Sequence, residues 1–298
     1  MSQFYIHPKR KTKVVFVQLG SPSEPTTKAL RKYLRKFLGD PRVVDINPWL
    51  WKIILNFFVL PFRPSKSAKL YARIWDGKNF PLITNTRDFT KKVSDELKKI
   101  DPEGFVEVNH AFLLSPPYVN EVYDSWEEDL KKGVGATKLL VIPMFPQYSE
   151  STIASGIDAL AKELSKRVKI PTFEVITNFH RTHAFIDNSV FQVDKKLDEL
   201  IKQGKNIDNL IITFHGMQKR RIVNKGDDYY RHCYETFCLI TNKLKNIKPE
   251  QCMMSFQSRF GSEEWITPYT EEVVKKLISE GKKEIAIYSP SFVADCLE

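Results

Sequence analysis

The sequence alternates short, uninterrupted apolar runs with amphipathic helical patterns, and this alternation restricts the fold more than any other feature. In the first half, the apolar runs lie at Val14–Leu19, Val43–Ile46, Val106–Leu113 and Leu139–Pro143. A second set lies at Thr172–Thr177, Leu210–Phe214, Met253–Phe256 and Ile285–Tyr288. Strands that are apolar throughout and are joined through helices are typical of parallel sheets covered on both faces.

The segments between these runs have helical periodicity. One apolar stripe ends before Gly39 and consists of Leu30, Tyr33, Leu34, Phe37 and Leu38. Four strands in each half of a 298-residue chain predict an α/β protein with two Rossmann-like domains flanking a cleft. Each domain is expected to be doubly wound around a four-stranded parallel sheet. The N-terminal domain is expected to span residues 1–165 and the C-terminal domain residues 166–298.

Charge and cysteine content narrow the class of protein. The formal net charge is +10, with basic residues spread along helical segments, which favours anionic ligands or a membrane surface over nucleic acid. The four cysteines (Cys233, Cys238, Cys252 and Cys296) form no CxxC pair and match no ferredoxin spacing, so an iron–sulfur cluster is not expected. Reduced thiols and the lack of a signal-peptide pattern in residues 1–13 predict a cytoplasmic protein.

Residues 47–63 form the one segment that suggests lipid contact. Eleven of the fourteen residues from Trp49 to Phe62 are apolar, which is too short a run to span a bilayer, since that takes about 20. Asn47 and Pro48 are typical of an N-cap and a first helical position. The pattern fits an interfacial helix, peripheral at the inner membrane, and fits a buried core helix equally well.

Ligands of parallel α/β sheets bind beyond the carboxyl ends of the strands, so the segments after the apolar runs are the places where a site is expected. The usual nucleotide and hydrolase motifs are absent: there is no GxGxxG after Leu19, no GxxxxGK[ST] and no GxSxG. His215 closes the run Leu210–Phe214, where a neutral imidazole could accept a proton or bind a metal. At such a position, a structural histidine that only makes hydrogen bonds is about as common as a catalytic or metal-binding one.

Other strand-end residues have two interpretations each. Tyr148 suits a flat ligand, because it combines an aromatic face with a polar tip, whereas Ser149 could contact an anionic ligand but is more typical of a helix cap. Arg259 could pair with a substrate carboxylate or fix its own loop. His180 and His183 are interpreted as surface residues at a helix start, because two histidines alone do not make a metal site.

Nine stretches of the chain resemble, in order, the signature segments of the ferrochelatase family. They are Gln18–Thr26, Phe37–Val44, Leu60–Pro64, Ser67–Trp75, Pro146–Thr152, Phe214–Gly216, Ser255–Gly261, Glu264–Thr270 and Phe292–Glu298. The resemblance implies two Rossmann-like domains around a porphyrin cleft. It also implies insertion of ferrous iron into protoporphyrin IX to give protohaem, the terminal step of haem biosynthesis.

The same resemblance assigns roles to individual residues. His215 and Glu298 take the positions of the catalytic histidine and glutamate, both able to bind the incoming ferrous ion, while Leu19 and Tyr148 would line the macrocycle pocket. Iron would be a substrate, with no cofactor required, and segment 47–63 would contact the membrane.

Some positions depart from the family pattern. Leu113 stands where an arginine is usual, Gln218 stands where a proline is usual, and relatives continue beyond the position of Glu298. These departures leave open a degenerate relative that binds porphyrin without turnover. A chelatase for another tetrapyrrole or metal is a further alternative.

Overall fold

The computed structural model describes residues 11–133 and 135–297, and this part of the chain divides into two compact units. The first unit comprises residues 11–144, 150–177 and 294–297. The second comprises residues 145–149 and 178–293. Each unit is built around its own parallel sheet, which confirms the predicted α/β fold class.

The first unit begins with a strand and continues mainly with helices before the sheet resumes. Its elements are β1 (Thr12–Gln18), α1 (Thr27–Leu38), α2 (Pro48–Ile54), α3 (Arg63–Tyr71), α4 (Pro81–Ile100), β2 (Val106–Phe112), α5 (Val119–Lys131), β3 (Lys138–Pro143), α6 (Ser155–Leu164) and β4 (Thr172–Val175). Short π-helical turns lie at Leu55–Val59 and Glu150–Ala154, and a 3₁₀ turn at Ala72–Ile74. The strand order is β2-β1-β3-β4, with every pair parallel.

Strand β1 is buried on both faces because helices cover both sides of the first sheet. Val15 and Val17 share a cluster with Trp126 of α5 and Leu160 of α6. Phe16 points the opposite way and contacts Phe89 of α4, with ring centroids 5.1 Å apart. This arrangement explains why the sequence of β1 is an unbroken apolar run rather than an alternation of apolar and polar residues.

The second unit contains α7 (His183–Lys202), β5 (Asn209–His215), α8 (Lys219–Lys225), α9 (Tyr229–Thr241), β6 (Cys252–Gln257), α10 (Thr270–Ser279) and β7 (Ile285–Tyr288), with a 3₁₀ turn at Pro249–Gln251. The strands pair in parallel in the order β6-β5-β7. Leu210, Ile212 and Phe214 pack in one cluster with residues of α7 and α9. Ile211 faces the other way, against α10.

Two strand assignments made from the sequence were wrong. Val43–Ile46 forms a turn, because the N–H groups of Val43 and Val44 both donate to the carbonyl oxygen of Asp40, at 3.0 Å each. The run at 172–177 supplies β4, which pairs with β3 in the first sheet, Leu140 opposite Glu174. The second sheet therefore has three strands within the described residues, and the run at 172–177 belongs to the first unit.

The start of α2 agrees with the sequence analysis. The side-chain oxygen of Asn47 accepts the N–H groups of Trp49 and Leu50, at 3.1 and 3.3 Å, and Pro48 occupies the first turn. Leu55 and Leu60 anchor the segment in a cluster with residues of α1 and α3. No helix of the described chain is long and apolar enough to cross a membrane.

Candidate functional site

His215 is the last residue of β5, and it lies opposite Gln257 at the end of β6. The strand is fully buried up to Phe214, whereas His215 is half-buried. Two aromatic rings flank the imidazole, that of Trp265 with its centroid 6.3 Å away and that of Phe292 at 6.4 Å. The histidine therefore has aromatic neighbours at the carboxyl end of a parallel sheet, where α/β proteins bind ligands.

Hydrogen bonding indicates the tautomer of His215. Its Nδ1 atom lies 2.6 Å from the carbonyl oxygen of Gly216, which can only accept, so Nδ1 carries the proton. In the neutral imidazole the lone pair is then on Nε2. That atom is the one suited to take a proton or to bind a metal ion.

Gly216 allows a close backbone approach that fixes this end of β5. Its N–H donates to the carbonyl oxygen of Gln257 at 2.7 Å. A Cβ atom at this position would lie 2.8 Å from that oxygen and 2.9 Å from the Trp265 ring. Since real Cβ atoms do not approach backbone so closely, glycine is required here.

The loop after β5 is tied to the loop that carries Trp265. The carbonyl oxygen of Met217 accepts the N–H of Ile266 at 2.9 Å, and the carbonyl oxygen of Glu264 accepts the N–H of Lys219 at 2.9 Å. Trp265 itself is buried. These bonds hold the tryptophan ring in place beside His215.

Arg259 lies in the exposed loop after β6. Its guanidinium stacks over the ring of Tyr269, 4.6 Å from the centroid. The hydroxyl of Tyr269 in turn donates to the carbonyl oxygen of Trp265 at 3.4 Å. This contact favours the loop-fixing role of Arg259, and its pairing with a substrate carboxylate stays a prediction.

The segment Pro146–Ser149 follows β3 and belongs to the second unit. Gln147 is buried, donates to the Thr236 hydroxyl at 3.0 Å and accepts from the Ser291 hydroxyl at 2.8 Å. The N–H of Tyr148 donates to Nδ1 of His232 at 3.2 Å. Ser149 is buried and Tyr148 half-buried. The segment is therefore held by α9 and by the chain after β7.

Leu19 and Leu113 both follow strands of the first unit. Leu19 is half-buried, and its carbonyl oxygen accepts the N–H of Leu114 at 3.0 Å. Leu113 packs against the cluster that contains Val15 and Trp126. The next residue, Gly20, has a φ of +92°, and a Cβ there would overlap the Ser115 hydroxyl oxygen, so the turn after Leu19 also requires glycine.

Comparison with known proteins decides the family of the chain. The family model described as "Ferrochelatase" matches residues 11–298. The ferrochelatase of Idiomarina loihiensis is 39% identical over 288 residues, covering 97% of this chain and 76% of the relative. The chain belongs to the ferrochelatase family.

Two other relatives cover similar lengths. The ferrochelatase of Actinobacillus pleuropneumoniae serotype 5b is 38% identical over 288 residues, with 97% of this chain and 85% of the relative covered. A protein named coproporphyrin III ferrochelatase, from Streptococcus mutans serotype c, is 38% identical over 290 residues, with the same two coverages. The prediction of a metal-chelating lyase is thereby confirmed.

The positions that the family resemblance marked are distributed over both units. Tyr148 and Ser149 lie in one short segment of the second unit, which also contains His215 and Arg259. Leu19 belongs to the first unit. Glu298 lies outside the described residues, so its predicted role as a second catalytic group and metal ligand stays a prediction.

Sequence reasoning missed several residues that surround these positions. Trp265 was seen only as part of a matching segment, and Phe292 only as part of the stretch after the last strand, with no role assigned to either ring. The prediction of a surface position for His180 was wrong, since only 2% of this residue is exposed. Its burial depends on His232, whose ring stacks on it at a centroid distance of 4.0 Å.

Proposed function

We propose that this ferrochelatase-family enzyme inserts ferrous iron into protoporphyrin IX and that His215 accepts a proton from the macrocycle. The observation that supports this role is the bond from Nδ1 of His215 to the Gly216 carbonyl oxygen, which leaves the basic lone pair on Nε2. Ferrous iron is a substrate in this proposal, and the reaction needs no resident cofactor.

The proton balance of the reaction explains why a neutral imidazole is suitable. The free-base porphyrin has two pyrrole N–H groups, and both protons leave as iron forms bonds to the four ring nitrogens. No electron is transferred, since iron stays in the ferrous state. A base within hydrogen-bond reach that takes a proton near neutral pH contributes roughly 10²–10⁴-fold to a rate. His215 is proposed to take a proton and pass it to solvent.

The other marked residues are proposed to bind the substrates. By resemblance to the family, Leu19 and Tyr148 contact the macrocycle, and Glu298 holds the hydrated ferrous ion or accepts charge. Arg259 and Ser149 are candidates for the porphyrin's carboxylates, because a guanidinium or a hydroxyl can donate to a carboxylate. Imidazole and carboxylate are both acceptable ligands for ferrous iron.

A second candidate substrate is coproporphyrin III, since a relative of that name is as similar to this chain as the other relatives. Coproporphyrin III has four propionates, whereas protoporphyrin IX has two propionates and two apolar vinyl groups. A degenerate relative that binds porphyrin without turnover is the alternative raised by Leu113.

One anaerobic assay separates these possibilities. The purified protein is mixed with ferrous iron and either protoporphyrin IX or coproporphyrin III, and the loss of free-base porphyrin fluorescence is followed. We expect turnover with protoporphyrin IX to exceed that with coproporphyrin III. Faster turnover of coproporphyrin III would make that porphyrin the preferred substrate. Binding of both porphyrins without turnover would overturn the enzymatic proposal.

Peripheral membrane contact through residues 47–63, at the cytoplasmic face of the inner membrane, is also part of the proposal. Six large apolar side chains of this segment are more than half exposed: Trp49, Leu50, Ile53, Phe57, Phe58 and Phe62. Trp49 is 77% exposed and Phe57 70%. An apolar surface of this kind on a short helix suits the boundary between headgroups and acyl chains.

The charge around this segment suits an anionic membrane. Residues 26–78 contain twelve Lys and Arg against three Asp, a net charge of +9 out of +10 for the chain. The basic side chains of α1 include Lys28, Arg31, Lys32, Arg35 and Lys36, all of them exposed. Because α1 and α3 share a cluster with the apolar segment, these cations lie on the elements that flank it. Each Lys or Arg near an anionic surface contributes about 1 kcal/mol.

A further inference from the structure

Two buried histidines lie behind the segment Pro146–Ser149. His180 and His232 are 2% and 4% exposed, and their rings stack at an interplanar angle of 22° with centroids 4.0 Å apart. His180 precedes α7, and His232 lies on α9. A pair of stacked imidazoles in this position is tolerated only if at least one of them is uncharged.

Burial lowers the pKa of both imidazoles, which favours their neutral forms. For His232, burial and then repulsion from His180 in its protonated form lower the pKa to about 4. Burial also lowers the pKa of His180, although its hydrogen bond to Glu235 opposes the shift. The carboxyl of Glu235 has a lowered pKa because His180 donates to it, and the carboxylate is therefore present as acceptor.

The hydrogen bonds give each ring a definite tautomer. His180 donates from Nε2 to the Glu235 carboxylate at 2.7 Å. His232 accepts the N–H of Tyr148 at Nδ1, so its proton is on Nε2. The Arg231 guanidinium nitrogen 3.4 Å from Nε2 is also a donor, and this approach is therefore a contact and not a hydrogen bond. His232 thus presents a fixed acceptor to the backbone of Tyr148.

Three consecutive residues of the segment make hydrogen bonds to other residues of the second unit. The carbonyl oxygen of Pro146 accepts the N–H of Phe179 at 3.0 Å, and Gln147 is held through its side chain. Tyr148 is held through its N–H. Of these bonds, the one from Tyr148 sets the backbone of the residue proposed to contact the macrocycle.

We propose that His232 is a positioning residue for porphyrin binding, acting through the backbone of Tyr148. The inference rests on the proposed function, in which Tyr148 contacts the porphyrin. His232 itself has no proposed contact with substrate. Its contribution is to accept the N–H of Tyr148, and so to help to hold the tyrosine where it would contact a flat ligand.

Porphyrin affinity of two variants tests this role. His232→Leu removes the acceptor and keeps an apolar volume, and we expect protoporphyrin IX to bind about tenfold more weakly, measured by fluorescence quenching. His232→Asn places an amide oxygen near the position of Nδ1, and we expect its affinity to stay within about twofold of the wild type. Equal affinities for wild type and His232→Leu would overturn the proposal.

His180→Leu is the matched control for a general loss of packing. It removes the stacked partner but leaves the bond between Tyr148 and His232, so we expect a lower melting temperature with porphyrin affinity within about twofold of wild type. If His180→Leu weakens binding as much as His232→Leu, the effect is one of packing and the positioning role is wrong.

A double-mutant cycle identifies the residue through which His232 acts. In a Tyr148→Ala background, His232→Leu is expected to change porphyrin affinity by less than about twofold. A full tenfold effect in that background would contradict action through Tyr148. Absence of porphyrin binding by the wild type would instead remove the proposed function and this inference together, which distinguishes the two failures.

Discussion

Nδ1 of His215 lies 2.6 Å from the carbonyl oxygen of Gly216, so the residue that follows the histidine in the chain determines which of its nitrogens is basic. The same glycine donates its N–H to the Gln257 carbonyl oxygen, which fixes the turn against β6. The orientation of the candidate proton acceptor is thus coupled to a backbone turn. This dependence has consequences for stability and for activity.

Replacement of Gly216 by alanine should destabilise the second unit and reduce metal insertion together. The added Cβ would lie within 3 Å of the Gln257 carbonyl oxygen and of the Trp265 ring, so backbone or ring must move. We expect a loss of about 1–3 kcal/mol in the free energy of unfolding, as for overpacking in a core. Urea denaturation followed by circular dichroism measures it.

Gly156→Ala is the control for this substitution. Gly156 lies in α6, and a Cβ there meets nothing within 4 Å. Alanine in a helix is favoured over glycine by up to about 1 kcal/mol, so we expect unchanged or increased stability. Destabilisation of the same size in both variants would show that the close approach at Gly216 is not the cause.

The buried histidine pair should make stability depend on pH. The pKa of His232 is about 4 in the folded state and about 6.5 when unfolded. Between these values the unfolded chain binds more protons than the folded one, so the free energy of unfolding falls as pH decreases from 6.5 towards 4. Above pH 6.5 the contribution of His232 no longer changes with pH. The lowered pKa of His180 acts in the same direction.

His232→Asn should therefore lose less stability than the wild type between pH 7 and pH 5. Urea denaturation at several pH values measures the difference, while Arg231, Asp228 and Glu235, whose charges act on His232, stay in place. Thr236→Val is the control, because it removes a hydrogen bond to Gln147 but no titrating group, and it should lower stability equally at each pH. Identical pH dependence in wild type and His232→Asn would contradict the account of the histidine pair.

Lipid binding should require both the apolar segment and the charge around it. We expect the Trp49→Glu/Phe57→Glu double variant to bind phosphatidylglycerol-containing vesicles at least tenfold more weakly in a sedimentation assay, since it places two charges in the interface. Binding of the wild type should weaken at high salt and on pure phosphatidylcholine vesicles.

Ile100→Glu serves as the control for lipid binding. Ile100 is 80% exposed at the end of α4, outside the apolar segment, so the same kind of change should leave vesicle binding unaltered. Undiminished binding of the double variant would show that residues 47–63 are not the lipid-contacting surface.

The fold class could be predicted because parallel sheets buried on both faces produce unbroken apolar strands. The partner of a strand could not be predicted in the same way. The run at 172–177 was assigned to the second sheet by its place in the chain, but pairing with β3 puts it in the first. Val43–Ile46 has the composition of a strand, yet the Asp40 carbonyl oxygen accepts from Val43 and Val44 and closes a turn instead.

The part of the candidate site that lies at the end of a strand could be predicted from the sequence. His215 lies where that rule and the family resemblance placed it, at the end of β5. The environment of His180 could not be inferred, because its burial comes from stacking on His232, a residue of a helix much later in the chain. Local sequence gives only the helix start near His180 and contains no sign of that contact.

His215 is proposed as the proton acceptor in metal insertion, and anaerobic single-turnover metallation by His215→Ala tests this role most directly. We expect the insertion rate to fall by about 10²–10⁴-fold, the usual contribution of a general base, while protoporphyrin IX affinity stays within about tenfold. Normal turnover by His215→Ala, with porphyrin bound as tightly as by the wild type, would contradict the account.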